Sequence, residues 1–140
     1  MAAPARTLSP KQELKLIVQR IVETYAPDKI ILYGSYAYGT PRPGSDFDLL
    51  IIKETTDPPR ERRFVVRKAI WPLPTTIPVE PLVVTEAELA GRLEMGDQFF
   101  QEIVSRGRTL YERKRLLHTR RVVRIRRPRP GGRKGAAQRP

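Results

Sequence analysis

The spacing of apolar residues changes several times along the chain, and each change marks an element. Over residues 11–25 they fall at Leu14, Ile17, Val18, Ile21, Val22 and Tyr25. That is the i, i+3, i+4, i+7 pattern of an amphipathic helix. Ser9 suits its N-cap and Pro10 its first position, and Pro27 ends it. Lys11, Glu13, Lys15, Gln19 and Arg20 are assigned to the wet face. Two short runs follow, 30–33 (IILY, bounded by Gly34) and 46–52 (DFDLLII), and both read as strands. The segment between them, Gly39-Thr40-Pro41-Arg42-Pro43-Gly44, holds two prolines and two glycines and cannot be regular.

A second helix is predicted over 60–70, with Phe64, Val65, Ala69 and Ile70 apolar. Arg60, Arg62, Arg63, Arg67 and Lys68 are its basic positions, most of them read as a solvated face. Trp71-Pro72-Leu73-Pro74 interrupts it. Residues 77–84 form a third strand, in which Pro81 removes a ladder donor and so implies an edge or a bulge. Thr85 is an N-cap with Glu86 and Glu88 in the first turn. The helical zone after it reaches about residue 106, split near Gly96, with Phe99, Phe100, Ile103 and Val104 as its stripe and Gly107 as its cap. Residues 108–112 are a closing strand. The pattern is α/β: a small mixed sheet with helices packed on it.

Composition narrows the chemistry. With 140 residues the chain can build one small domain. It has no cysteine, so it has neither a disulfide framework nor a Cys-based zinc site. Its single histidine, His118, lies far from any motif, which argues against His-dependent acid–base chemistry. No apolar run approaches membrane-spanning length, and the first residues lack an apolar signal region. A cytoplasmic protein is expected.

The net charge of +12 is concentrated at one end. Of 27 Lys and Arg residues, twelve lie in 113–140 with no acid among them, so the first 112 residues hold fifteen of each sign. The division is therefore a short flexible start at 1–10, a neutral domain at 11–112 and a basic tail at 113–140. Leu116, Leu117, Val122, Val123 and Ile125 give the tail a little apolar content. From residue 126 it is too polar to pack and is expected to be disordered. It offers nonspecific contacts to nucleic-acid phosphates but no aromatic residue to stack on a base.

The candidate chemistry lies at 34–48. Gly34 permits a positive φ or a close backbone approach. If residues 35–38 open a helical turn from Ser35, its free N–H groups and hydroxyl suit a phosphate. Ten residues later, Asp46 and Asp48 share a face of the second strand, with Phe47, Leu49 and Ile51 on the other. Two carboxylates so placed repel unless a cation sits between them, and Mg²⁺ takes one or two carboxylates together with substrate phosphate oxygens. A lone Gly-Ser is usually a turn and a lone DxD is usually solvated surface. Four fixed residues at this spacing arise by chance only about once in 10⁵ start positions.

This pattern, GS-x10-DxD between an apolar strand and LLII, resembles the DNA polymerase β superfamily of nucleotidyltransferases. Residues 11–112 look like its minimal nucleotidyltransferases (MNT), which often serve as antitoxins to HEPN-domain ribonuclease toxins. The resemblance implies that Asp46 and Asp48 bind two Mg²⁺ ions, that Gly34 and Ser35 hold the triphosphate of ATP or another NTP, and that a third acid on a later strand completes the site. Glu80 matches that third acid, where an aspartate is usual. It would attract the proton of the incoming hydroxyl or hold a metal that lowers its pKa. Arg42 is assigned as a phosphate neutraliser. The implied reaction places AMP on a hydroxyl, with a tyrosine of a HEPN toxin as acceptor. Two alternatives stand beside it: a catalytically weak module that neutralises its partner by contact, and a nucleic-acid-associated protein acting through its tail.

Overall fold

Capping sets the first helix, α1 (Pro10–Tyr25). Ser9 Oγ accepts from the Gln12 N–H at 3.1 Å while Gln12 Oε1 accepts from the Ser9 N–H at 2.8 Å, a reciprocal cap that satisfies two otherwise orphaned donors. The structure, a computed structural model, describes residues 7–114. The first six residues and the tail beyond Lys114, with the readings placed on them, lie outside the described residues.

After α1 come β1 (Lys29–Tyr33), a one-turn helix α2 (Ser35–Tyr38), β2 (Phe47–Ile52), α3 (Pro59–Ile70), β3 (Val79–Val84), α4 (Glu86–Glu94), α5 (Gln98–Arg106) and β4 (Arg108–Glu112). The strands form one sheet in the order β3-β2-β1-β4. β1 pairs antiparallel with β2 and β4, and β2 pairs parallel with β3. The mixed sheet and its flanking helices are those the patterning predicts. β3 is an edge strand, where the missing N–H of Pro81 is tolerated.

Both faces of the sheet are covered. On one, Ile17 and Ile21 of α1 and Val66 of α3 pack on Ile30, Leu32, Phe47, Leu49 and Ile51. On the other, Leu89 of α4 and Phe100 and Ile103 of α5 pack on Ile31, Leu50 and Ile52. Each fully buried Ile, Leu or Phe contributes about 1.5–3 kcal/mol. Because both faces are buried, β2 reads as a continuous apolar run after Asp48 instead of an alternating one.

Three sequence-based assignments need correction. Glu13 is not on the wet face of α1: it is 3% exposed and accepts from the N–H groups of Thr76 and Ile77 and from the Thr76 hydroxyl, each at 2.9 Å. Arg62 is not solvated. It is buried, donating to Asp57 O at 2.7 Å, Val83 O at 3.1 Å and the Glu88 carboxylate at 2.7 and 3.1 Å. Phe64 is not part of a buried stripe: it is 58% exposed, and Val66 takes the core position of α3. The α5 stripe is narrower than expected, since Phe100 and Ile103 are buried while Phe99 and Val104 remain half exposed. Gly107 caps α5 by donating its N–H to Ile103 O at 2.8 Å.

Candidate active site

The turn out of β1 and the entry into β2 meet at Gly34. Its backbone has φ 78 and ψ −162, a region that is essentially glycine-only. The fit is also steric, since a Cβ built there would lie 2.2 Å from Asp48 Oδ2. The carboxylate of β2 therefore rests against the backbone of the turn. α2 starts at Ser35, and the N–H groups of Ala37 and Tyr38 both donate to Gly34 O, at 3.0 and 3.1 Å. The Ser35 and Tyr36 N–H groups begin the helix and have no acceptor within it. Tyr36 packs on Phe47, with ring centroids 4.7 Å apart, which anchors the turn to the core.

Registry gathers the acids. Asp48 is the cross-strand partner of Tyr33 on β1 and of Glu80 on β3. Glu80, Leu82 and Val84 alternate onto the face that carries the α4–α5 core, the same face as Asp48, Leu50 and Ile52. Asp46 immediately precedes β2. Burial, then the Asp46 and Glu80 carboxylates, push the Asp48 carboxyl above its ordinary value. The Phe47 N–H donates to Pro78 O at 2.9 Å, and Glu13 holds the Thr76–Ile77 backbone from below. The start of β3, and with it Glu80, is thus positioned from α1.

Of the residues singled out in the sequence, Gly34, Asp46, Asp48 and Glu80 are brought together, and Ser35 begins the adjoining turn. Arg42 is on the exposed loop. Its N–H donates to Ser45 Oγ at 2.8 Å and its carbonyl accepts the Ser45 N–H at 2.9 Å, and its guanidinium forms no ion pair with the acids among the described residues. Glu80 is also ion-paired with Arg67 of α3. Both of these side chains are about half exposed, at 53% and 51%. Among the described residues no group of three Asp, Glu, His or Cys side chains is assembled for a metal ion.

Sequence reasoning passed over two residues here. Tyr33 lies opposite Asp48, and burial, then the charges of Asp48 and Glu80 and the neighbouring Tyr38, push its phenol up to about 12. Its place one residue before Gly34 was the signal that could have found it. Arg106, at the end of α5, stacks its guanidinium over the Tyr38 ring at 4.1 Å and so braces the turn helix from the opposite layer. No spacing in the sequence marks that contact.

The donor chemistry fits a divalent cation. The candidate ligands are carboxylate oxygens, the hard donors Mg²⁺ takes, and the crowding that raises the Asp48 pKa is what a positive charge would relieve. Among known proteins, the family model for a nucleotidyltransferase domain matches residues 11–89, more than half of the chain and the segment that carries the turn, Asp46, Asp48 and Glu80. No curated protein matches the chain.

Proposed function

The chain belongs to the nucleotidyltransferase-domain family, and from that premise we propose that it moves AMP from ATP to a tyrosine hydroxyl of a HEPN-type toxin and acts as its antitoxin. One observation carries the chemistry: Asp48, held against the Gly34 backbone, is crowded by Asp46 and Glu80. The acceptor is supported by resemblance to the minimal nucleotidyltransferases.

In this reading Asp46 and Asp48 hold Mg²⁺, and Gly34 and Ser35 cradle the triphosphate. Bound there, the ion would neutralise charge on the phosphates and lower the pKa of the attacking hydroxyl. The acceptor oxygen forms its bond to the α-phosphorus as the bond to the bridging oxygen breaks, and pyrophosphate leaves. Glu80 receives the hydroxyl proton. Tyr33 supplies a hydroxyl hydrogen bond at the same edge. The residues contribute mostly position and charge, as in other phosphoryl transfers.

The test is transfer of label from α-labelled ATP with Mg²⁺ in the presence of cell extract, beside the Asp46→Asn and Asp48→Asn variants. Label on a protein band that both variants lose supports the reading and identifies the acceptor. RNase-sensitive label would overturn the protein acceptor. A second reading rests on the Glu80–Arg67 ion pair, which already engages the third acid. In it the chain binds Mg-NTP without transferring it and neutralises a partner by contact. Tight NTP binding with no transfer from any of the four NTPs would select it.

A further inference from the structure

Helix α3 is turned inside out with respect to its composition. It buries Arg62 at 5% exposure, while Phe64 and, just past its end, Trp71 stand 58% and 85% exposed. A buried charge and an exposed large apolar group are each informative, and here they share one helix. Arg62 is accounted for by its four hydrogen bonds to Asp57, Val83 and Glu88. On the outward face, Phe64 and Trp71 are left exposed to solvent.

At 3.6 residues per turn, Arg60, Arg63, Phe64, Arg67, Lys68 and Trp71 occupy one continuous stripe about 140° wide. All six are exposed, and the stripe lies on the far side of the helix from the buried Arg62 and Val66. It carries four positive charges, with Glu61 at its flank. Glu80 is paired to it through Arg67. Lys68 lies 6.0 Å from the Phe64 ring. Cations and open ring faces are therefore interleaved along one surface that ends beside the acidic edge of the sheet.

We propose that this α3 stripe is a binding surface for single-stranded nucleic acid. Its arginines and Lys68 take the phosphates, and Phe64 and Trp71 take the faces of unpaired bases. Phe64 and Trp71 are seven residues apart, about 10 Å along the axis, or about three stacked-base spacings. Stacking on aromatics with cations along the backbone is how single strands are held without sequence choice. An acidic protein would satisfy the charges equally well. The interleaving of four cations with two exposed aromatic rings favours a single strand, which presents a phosphate and a base face at every nucleotide. The inference extends past nucleotidyl transfer and needs none of it, so either can fail without the other.

Trp71 is the only tryptophan, so its emission reports this stripe and not the basic tail. The full-length chain, without nucleotide or metal, is titrated with oligouridylate at several salt concentrations. Saturable quenching of Trp71 is expected. In the Arg63→Gln/Lys68→Gln variant, whose substituted residues are exposed and outside the core, the slope of log affinity against log salt should fall by about 1.4, or about 0.7 per phosphate contact. No change in Trp71 emission would overturn the proposal. So would equal quenching by polyglutamate, which would assign the face to an acidic protein, or an unchanged affinity and slope in the variant.

Discussion

Replacing Gly34 by alanine tests whether this glycine serves the backbone or the carboxylate beside it. Backbone strain in its φ 78, ψ −162 conformation should cost about 1–3 kcal/mol. Gly39, at φ 79 and ψ 19, supplies the control. Its alanine should carry a comparable cost of about 1–2 kcal/mol, but its Cβ would meet nothing within 4 Å. The difference is Asp48. Its Oδ2 would be 2.2 Å from the new methyl group, and the short aspartate chain must retreat by about 1 Å to regain ordinary contact. A misplacement of about 1 Å in a positioning site costs about 100-fold in rate. Gly34→Ala should therefore lose about 100-fold in turnover, and Gly39→Ala no more than about threefold, at similar stabilities. Label transfer from α-labelled ATP gives the rates, and urea denaturation gives the stabilities. If both variants slow alike, or if Gly34→Ala keeps a third of its activity, the close approach of Asp48 is not why the turn carries glycine.

Asp48→Asn should raise the denaturation midpoint in chelator while abolishing transfer. A carboxyl whose folded pKa is raised opposes folding above that pKa, and the amide removes the charge that burial, Asp46 and Glu80 disfavour; a lowered midpoint would contradict this. Glu13→Ala should cost about 2–4 kcal/mol, because it leaves the Thr76 and Ile77 N–H groups without their acceptor. Burial pushes the Glu13 pKa up, but the hydrogen bonds from Ile77 and Thr76 outweigh it and hold it low. Its contribution is thus present above the unfolded value of about 4.3 and lost as pH falls through the folded one. A denaturation series that shows equal losses at pH 7 and pH 3 would refute it. Glu88→Gln should destabilise by about 2–3 kcal/mol at pH 7, below the range for a fully buried pair because its side chain is 45% exposed. The Arg62 hydrogen bond, then the Thr85 N–H, hold Glu88 at about 2. The difference between variant and parent should therefore vanish as pH falls from above the unfolded value towards 2, which a pH series of urea midpoints checks.

Much of this architecture was legible because local physics agreed with the global outcome. Ser9 and Thr85 each sit three residues before Gln12 and Glu88, and both form reciprocal caps. Pro81 announced an edge strand, and β3 is one. The Gly-Ser turn and the DxD entry into β2 could be found because two like charges on one strand face are costly without a cation, and because a glycine that closes an apolar strand marks a close backbone approach. Glu13 and Arg62 were misplaced for the opposite reason. Each is a charge on a helix whose pattern reads as a wet face, and each is stable inside because partners brought in by the fold satisfy it: the Thr76 and Ile77 backbone for Glu13, and the Glu88 carboxylate with the Val83 and Asp57 carbonyls for Arg62. Phe64 is the converse case: it reads as one of the apolar positions of α3, yet it is exposed, while Val66 two residues on takes the core position.

The sequence by itself determined where the helices and strands start and stop, which residues are apolar enough to face a core, and that a Gly-Ser turn precedes two carboxylates by ten residues. Those are short-range properties of spacing, capping and backbone freedom. Only the tertiary structure decided that Asp48 lies against Gly34, that Glu80 stands in register with Asp48 yet pairs with Arg67, that Tyr33 pairs across the strands with Asp48, and that α3 faces Phe64 and Trp71 outward. Each of those depends on which strands neighbour which and on how charges far apart in the chain are desolvated together. No pattern of residues records either before the sheet has formed.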